Sequence, residues 1–181
     1  MTFKNDPALK NELLDKLKHH QELDTFIQGT WLTKEKVEGN GFKGCFYGCT
    51  MQSDDNPIQE FSDKYQIDLW YCCLTEKMFE KLPDGEFQSF PVKSIEILPV
   101  GFDFNKAKSA FHRGILLKQL EWVKDELVIK VLNQCADLFL VPYDQIAESA
   151  RSAAESAAWS AASKKHWIWM RDFLFECIKN G

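Results

Sequence analysis

The sequence predicts an all-α chain: a single-domain multi-helix bundle, residues 1–181, that ends in a long Ala/Ser-rich helix. Three observations predict it. Apolar residues recur at three- and four-residue steps through most of the chain, which is the period of an amphipathic helix. Asp6-Pro7, Asp103 and Asp144 stand ahead of such runs, where a short side-chain oxygen can accept from the first free amides of a helix. Finally, thirteen of the seventeen residues from Ala147 to Ser163 are Ala or Ser, and alanine is the strongest helix former.

An N-terminal helix is expected over residues 5–28. Asp6 caps it, and Leu9, Leu13, Leu14, Leu17, Leu23, Phe26 and Ile27 make its apolar stripe, with an end near Gly29. A helical core over residues 30–143 follows. Its first stretch, Thr30 to Gly44, has no clear period; Gly39-Asn40-Gly41 is a turn, and a short hairpin fits there. The polar run Ser53 to Pro57 feeds a short helix through Tyr65. Ile67, Trp70, Tyr71, Leu74, Met78 and Leu82 then share one helical face, and Pro83-Asp84-Gly85 stops it. Pro91 starts or kinks the next helix, and Pro99 with Gly101 breaks the chain again. Asp103 caps a helix through Ala107, Phe111, Ile115, Gln119 and Trp122. Another holds Leu127, Val128, Val131, Leu132, Cys135, Leu138 and Phe139, with Val and Ile enough to leave a strand open around Leu127 to Val131. Residues 144–179 make the long C-terminal segment, where Ala147 onward reads as one helix of roughly 33 residues, about 50 Å long, with Asp144 as its cap. Its first half repeats Ser-Ala-Ala-x. Such a repeat drifts about 40° per step around the helix, so small side chains surround a thin rod. Its second half carries the stripe Trp167, Met170, Leu174, Cys177 and Ile178, with Trp169 and Phe173 beside it.

Composition narrows the function classes. The 181 residues are 45% hydrophobic, 27% charged and 13% aromatic, with six Trp and fourteen Phe, enough for a real core. The net charge is −5 and both signs are interspersed, so no basic stripe is present to meet phosphates and nucleic acid is not an expected partner. The N-terminus lacks the apolar segment of a secretory signal, and no apolar run is long enough for a membrane span; a cytoplasmic protein is expected. Six cysteines (Cys45, Cys49, Cys72, Cys73, Cys135, Cys177) are then read as free thiols rather than as a disulfide set.

Lys43-Gly44-Cys45-Phe46-Tyr47-Gly48-Cys49-Thr50 resembles the Gly-Lys-Gly-Cys-x-x-Gly-Cys-Thr motif of a family of uncharacterised bacterial proteins. Further segments follow in the family's order: Leu74 to Pro83, Phe90-Pro91, Ile97 to Asp103, Cys135 to Phe139, and an Ala-rich helix. The resemblance covers most of the chain from about Thr25 onward. It implies family membership and no particular activity. Where many relatives carry His-Ser after the Cys-Thr motif, this chain has Gln52-Ser53.

Cys45 and Cys49 are the candidate site. No cofactor is expected; four residues apart on a helix, they nevertheless share a face and would suit a metal such as Zn, with Cys72, Cys73, His19 or His20 completing the set. The same spacing of Gly44, Cys45, Gly48 and Cys49 also makes a small-residue face for close packing, which is the preferred reading. His112, near Asp103 or Glu121 in sequence, is a candidate general base with no nucleophile or glycine-rich turn to accompany it. His19-His20 and His166 are read as surface residues. On the thin rod, Arg151, Glu155 and Trp159 are candidate partner-binding residues. The favoured function is therefore a non-enzymatic protein-interaction module, binding a protein partner or its own copy, as a regulator, immunity-type or counter-defence factor would. The alternative is a small metal- or thiol-dependent enzyme centred on Cys45 and Cys49.

Overall fold

The fold is that of a computed structural model, which describes residues 1–33, 42–152, 156 and 164–181. The chain is all-α: among the described residues every regular element is helical and no strand occurs. No described helix is long and apolar enough to cross a membrane. Contacts cluster in two compact units, Met1–Phe102 and Asp103–Gly181.

In the first unit, Asp6 caps α1 (Pro7–Glu22) by accepting from the Ala8 amide. The helix ends at Glu22, six residues short of the expected boundary at 28. Asp24 takes the left-handed φ of 51°, and both the Thr25 amide and hydroxyl donate to the His20 carbonyl. Phe26 then pairs with Gly44 in an isolated parallel bridge. Leu23, Phe26 and Ile27 continue the helical spacing, but a long-range backbone pairing claims the segment instead. The Gly39-to-Gly41 turn lies outside the described residues. Around it, the Thr33 amide donates to the Lys43 carbonyl at 2.6 Å, and the Lys43 amide to Thr33 Oγ1 at 3.0 Å.

Four helices follow: α2 (Phe46–Met51), α3 (Pro57–Tyr65), α4 (Leu69–Lys81) and α5 (Phe90–Glu96). Proline opens α3 and sits in the first turn of α5, where its missing N–H would be unbonded anyway; Asp68 caps α4 through the Trp70 amide. Their inner faces are aromatic. Phe61 meets Tyr47 and Tyr65 with ring centroids 4.8 Å apart in each case, and Phe46 edge-on at 5.8 Å. Such offset and edge contacts stabilise beyond simple burial. The chain start closes the unit: Thr2 Oγ1 donates to the Pro99 carbonyl and accepts from the Phe102 amide, both at 2.7 Å, while Phe3 is fully buried.

The second unit holds α6 (Phe104–Gln119), α7 (Glu126–Asp137) and α8 (Lys164–Lys179). Asp103 and Asp125 cap the first two through the Asn105 and Val128 amides. Leu116, Ala136, Phe139, Tyr143 and Ile146 form its core cluster. On α6, Gly114 leaves room for the Phe173 ring, which occupies the place a Cβ would take. After α7, single 3-10 turns cover Leu138–Leu140 and Tyr143–Gln145. Asp144 thus lies inside one of these turns and does not cap the following helix, which starts at residue 148. Ile146 is extended and buried between the two; its place in the core breaks the helix that composition alone would carry back to Asp144. Of the Ala/Ser stretch, residues 153–155 and 157–163 lie outside the described residues.

Candidate functional site

The Cys45–Cys49 segment is built around close backbone approach. A Cβ on Gly44 or Gly48 would fall onto the Trp31 carbonyl, so only glycine allows the Trp31–Leu32 backbone to lie there. Cys45 locks this arrangement from two sides. Its amide donates to the Thr30 carbonyl at 2.7 Å, and its Sγ caps α2 by accepting from the Gly48 amide at 3.3 Å. Cys49 Sγ donates elsewhere, to the Thr25 carbonyl at 3.5 Å and the Phe42 carbonyl at 3.7 Å. The small-residue face therefore packs, and its neighbour is the Trp31–Leu32 backbone.

Burial sets the chemistry of both thiols. Desolvation, with Glu76 nearby as a second cause, pushes the Cys45 thiol far above the ordinary range, and desolvation raises Cys49 to about 11. A protonated thiol is a poor nucleophile. Cys72 is buried and likewise raised by desolvation, whereas Cys73 faces outward. Among the described residues, no group of three or more His, Cys, Asp and Glu side chains is placed to hold a metal ion.

Beside Cys45 stands a residue that sequence reading passed over. Glu76 on α4 is only 7% exposed, and its Oε2 has no hydrogen-bond partner. Desolvation first, and the like charge of Glu80 second, raise its carboxyl to about 8. Glu80 itself accepts from the Gly29 amide at 2.7 Å. Tyr47 and Thr75 complete the polar cluster, their hydroxyls 2.7 Å apart. The signal for Glu76 lay in the helix period: Cys72 and Phe79, four before and three after it, are both buried.

The remaining candidates are scattered. His112 is buried, its Nδ1 donates to the Lys108 carbonyl at 2.7 Å, and its ring stacks on Phe139 at 5.4 Å. It is a packed core histidine, with no open face for a substrate. His166, expected at the surface, is buried between Trp122 and Trp169, with centroids at 5.6 and 5.4 Å; the indoles of two elements cover it. His20 is half-buried, its Nδ1 3.0 Å from Thr25 Oγ1. Arg151 lays its guanidinium over the Tyr143 ring at 5.2 Å, an intramolecular cation–π contact. Glu155 and Trp159 lie outside the described residues.

The second unit also carries an outward apolar face on α7. Leu127 is 70% exposed, and Val128, Val131, Leu138, Leu140 and Val141 are exposed as well. At about 100° per residue, apolar side chains from Leu127 round to Ile129 cover an arc of about 200°. The core takes one side of that arc, through Phe139 and Ala136. The other side, Leu127, Leu138, Val131 and Val128, faces out. Contiguous exposed apolar surface of this kind marks interaction sites. Compared with models of known protein families, with curated proteins and with solved structures, the chain matches none.

Proposed function

We propose that this chain is a protein-interaction module that docks through the outward face of α7. The observation that carries the reading is the exposure of Leu127, Val128, Val131 and Leu138 on one side of a helix whose other side is packed. An apolar arc wider than its own core can cover is stabilised by burial against another protein, at about 25 cal/mol per Å². The environment of Cys45 and Cys49 supports the same reading, because buried, protonated thiols serve packing rather than chemistry.

The test is site-specific photocrosslinking in cells. A benzophenone side chain at Val131 is expected to give a discrete covalent adduct with a protein, and the same group at exposed, polar Asn133 is not. Leu127→Glu should abolish the Val131 adduct without unfolding the chain. Equal labelling at both positions, or none at either, would overturn the reading.

A further inference from the structure

We infer that the partner on this face is a second copy of the chain, its α7 paired antiparallel with the first about a two-fold axis. The inference rests on the docking role proposed for α7 and adds its occupant. A two-fold interface must complement itself, residue by residue, in shape and charge, and α7 meets that condition.

Leu127, Val131, Gln134 and Leu138 recur at steps of four, three and four, which is the spacing of an a/d seam. Leu138 keeps φ −60° and ψ −26°, so it prolongs α7 and stays on the seam. With two such helices antiparallel, Leu127 of one copy faces Leu138 of the other, and Val131 faces Gln134. Both leucine pairs close the ends of the seam, and the two Gln134 amides lie near the axis, where each has both a donor and an acceptor.

Charge selects this orientation. Lys130 and Asp137 are exposed and lie on the same flank of the seam, about 20° apart around the helix. In the antiparallel register, Lys130 of each copy meets Asp137 of the other, giving two symmetric ion pairs. In a parallel two-fold pair the same flank falls on opposite sides of the seam, so Lys130 and Asp137 of the two copies do not meet and neither ion pair forms. Leu140 and Val141, exposed just past the helix, extend the apolar surface at both ends.

Sedimentation equilibrium on the full chain tests this. The wild type should dimerise reversibly. Lys130→Glu and Asp137→Lys, each alone, should weaken dimerisation roughly tenfold by replacing attraction with repulsion at two symmetric places. The combined variant Lys130→Glu/Asp137→Lys should restore it, because the pair is then complementary again with the signs exchanged. All these positions are exposed, and circular dichroism will verify that the helix content is unchanged. A monomer at all concentrations would overturn the second-copy assignment. A dimer indifferent to the single changes, or not rescued by the double change, would overturn the antiparallel pairing. A monomeric chain that still gives the Val131 adduct with another protein would overturn only the second copy, leaving the docking role in place.

Discussion

Gly48 and Glu76 are the residues whose neighbours decide most. Gly48→Ala, or Gly44→Ala, pushes a methyl onto the Trp31 backbone carbonyl. A backbone group cannot swing aside as a side chain can, so the expected loss is about 1–3 kcal/mol, read from denaturant unfolding. Glu76 makes stability depend on pH. Its carboxyl is raised to about 8, well above the ordinary carboxylate range, chiefly by burial. A carboxyl raised by folding contributes fully below its unfolded pKa, and that contribution is lost as pH rises towards 8. Glu76→Gln, which cannot ionise, should therefore match the wild type near pH 4. By pH 8 it should be more stable by about 4 kcal/mol, with the difference nearly level above that. A difference that is flat across the whole range would refute this assignment. The close approach at Gly44 and Gly48 was legible in the sequence as a small-residue face. Its neighbour was not, because Trp31 sits at least thirteen residues away and has no periodic relation to the motif.

Among the elements, α7 depends least on its own core. Ala136 is its only fully buried residue, so much of its local stability comes from its ends. Asp125 accepts from the Val128 amide at 3.0 Å, and an N-cap of this kind contributes about 1 kcal/mol. Asp125→Ala should accordingly speed amide exchange along α7 about fivefold while leaving α4 unchanged. Of the three caps read from the sequence, Asp6 and Asp103 bond a free amide of the first turn, as Asp68 and Asp125 also do, while Asp144 lies inside a 3-10 turn and does not cap the next helix. The two that held have a local cause, since a cap involves atoms within three residues. The end of α1 was misread for the opposite cause. Leu23, Phe26 and Ile27 keep the helical period, yet the Ile27 amide donates to the Gly44 carbonyl at 2.8 Å, a bond made seventeen residues away that no local pattern announces.

Across the molecule, two apolar populations look alike in sequence and differ in what they cover. Leu116 belongs to the buried cluster with Phe139, Tyr143 and Ile146, whereas Leu127 stands mostly in solvent. Leu116→Ala should cost about 2–4 kcal/mol, as buried leucine truncations do. Leu127→Ala in dilute, monomeric protein should change stability by less than about 0.5 kcal/mol. Thermal unfolding of the two variants, followed by circular dichroism, checks the contrast. Comparable losses at both positions would mean that Leu127 is covered within its own chain.

By itself the sequence determined the all-α class, the capped starts of α1 and α6 and the small-residue character of the Cys45–Cys49 segment, because each rests on periodicity or on bonds between near neighbours. Only the tertiary structure decided which apolar residues are covered, where α1 stops, and that an acidic side chain lies buried beside Cys45. Burial and long-range backbone pairing depend on which segments meet in space, and side-chain period along one helix carries no record of that meeting.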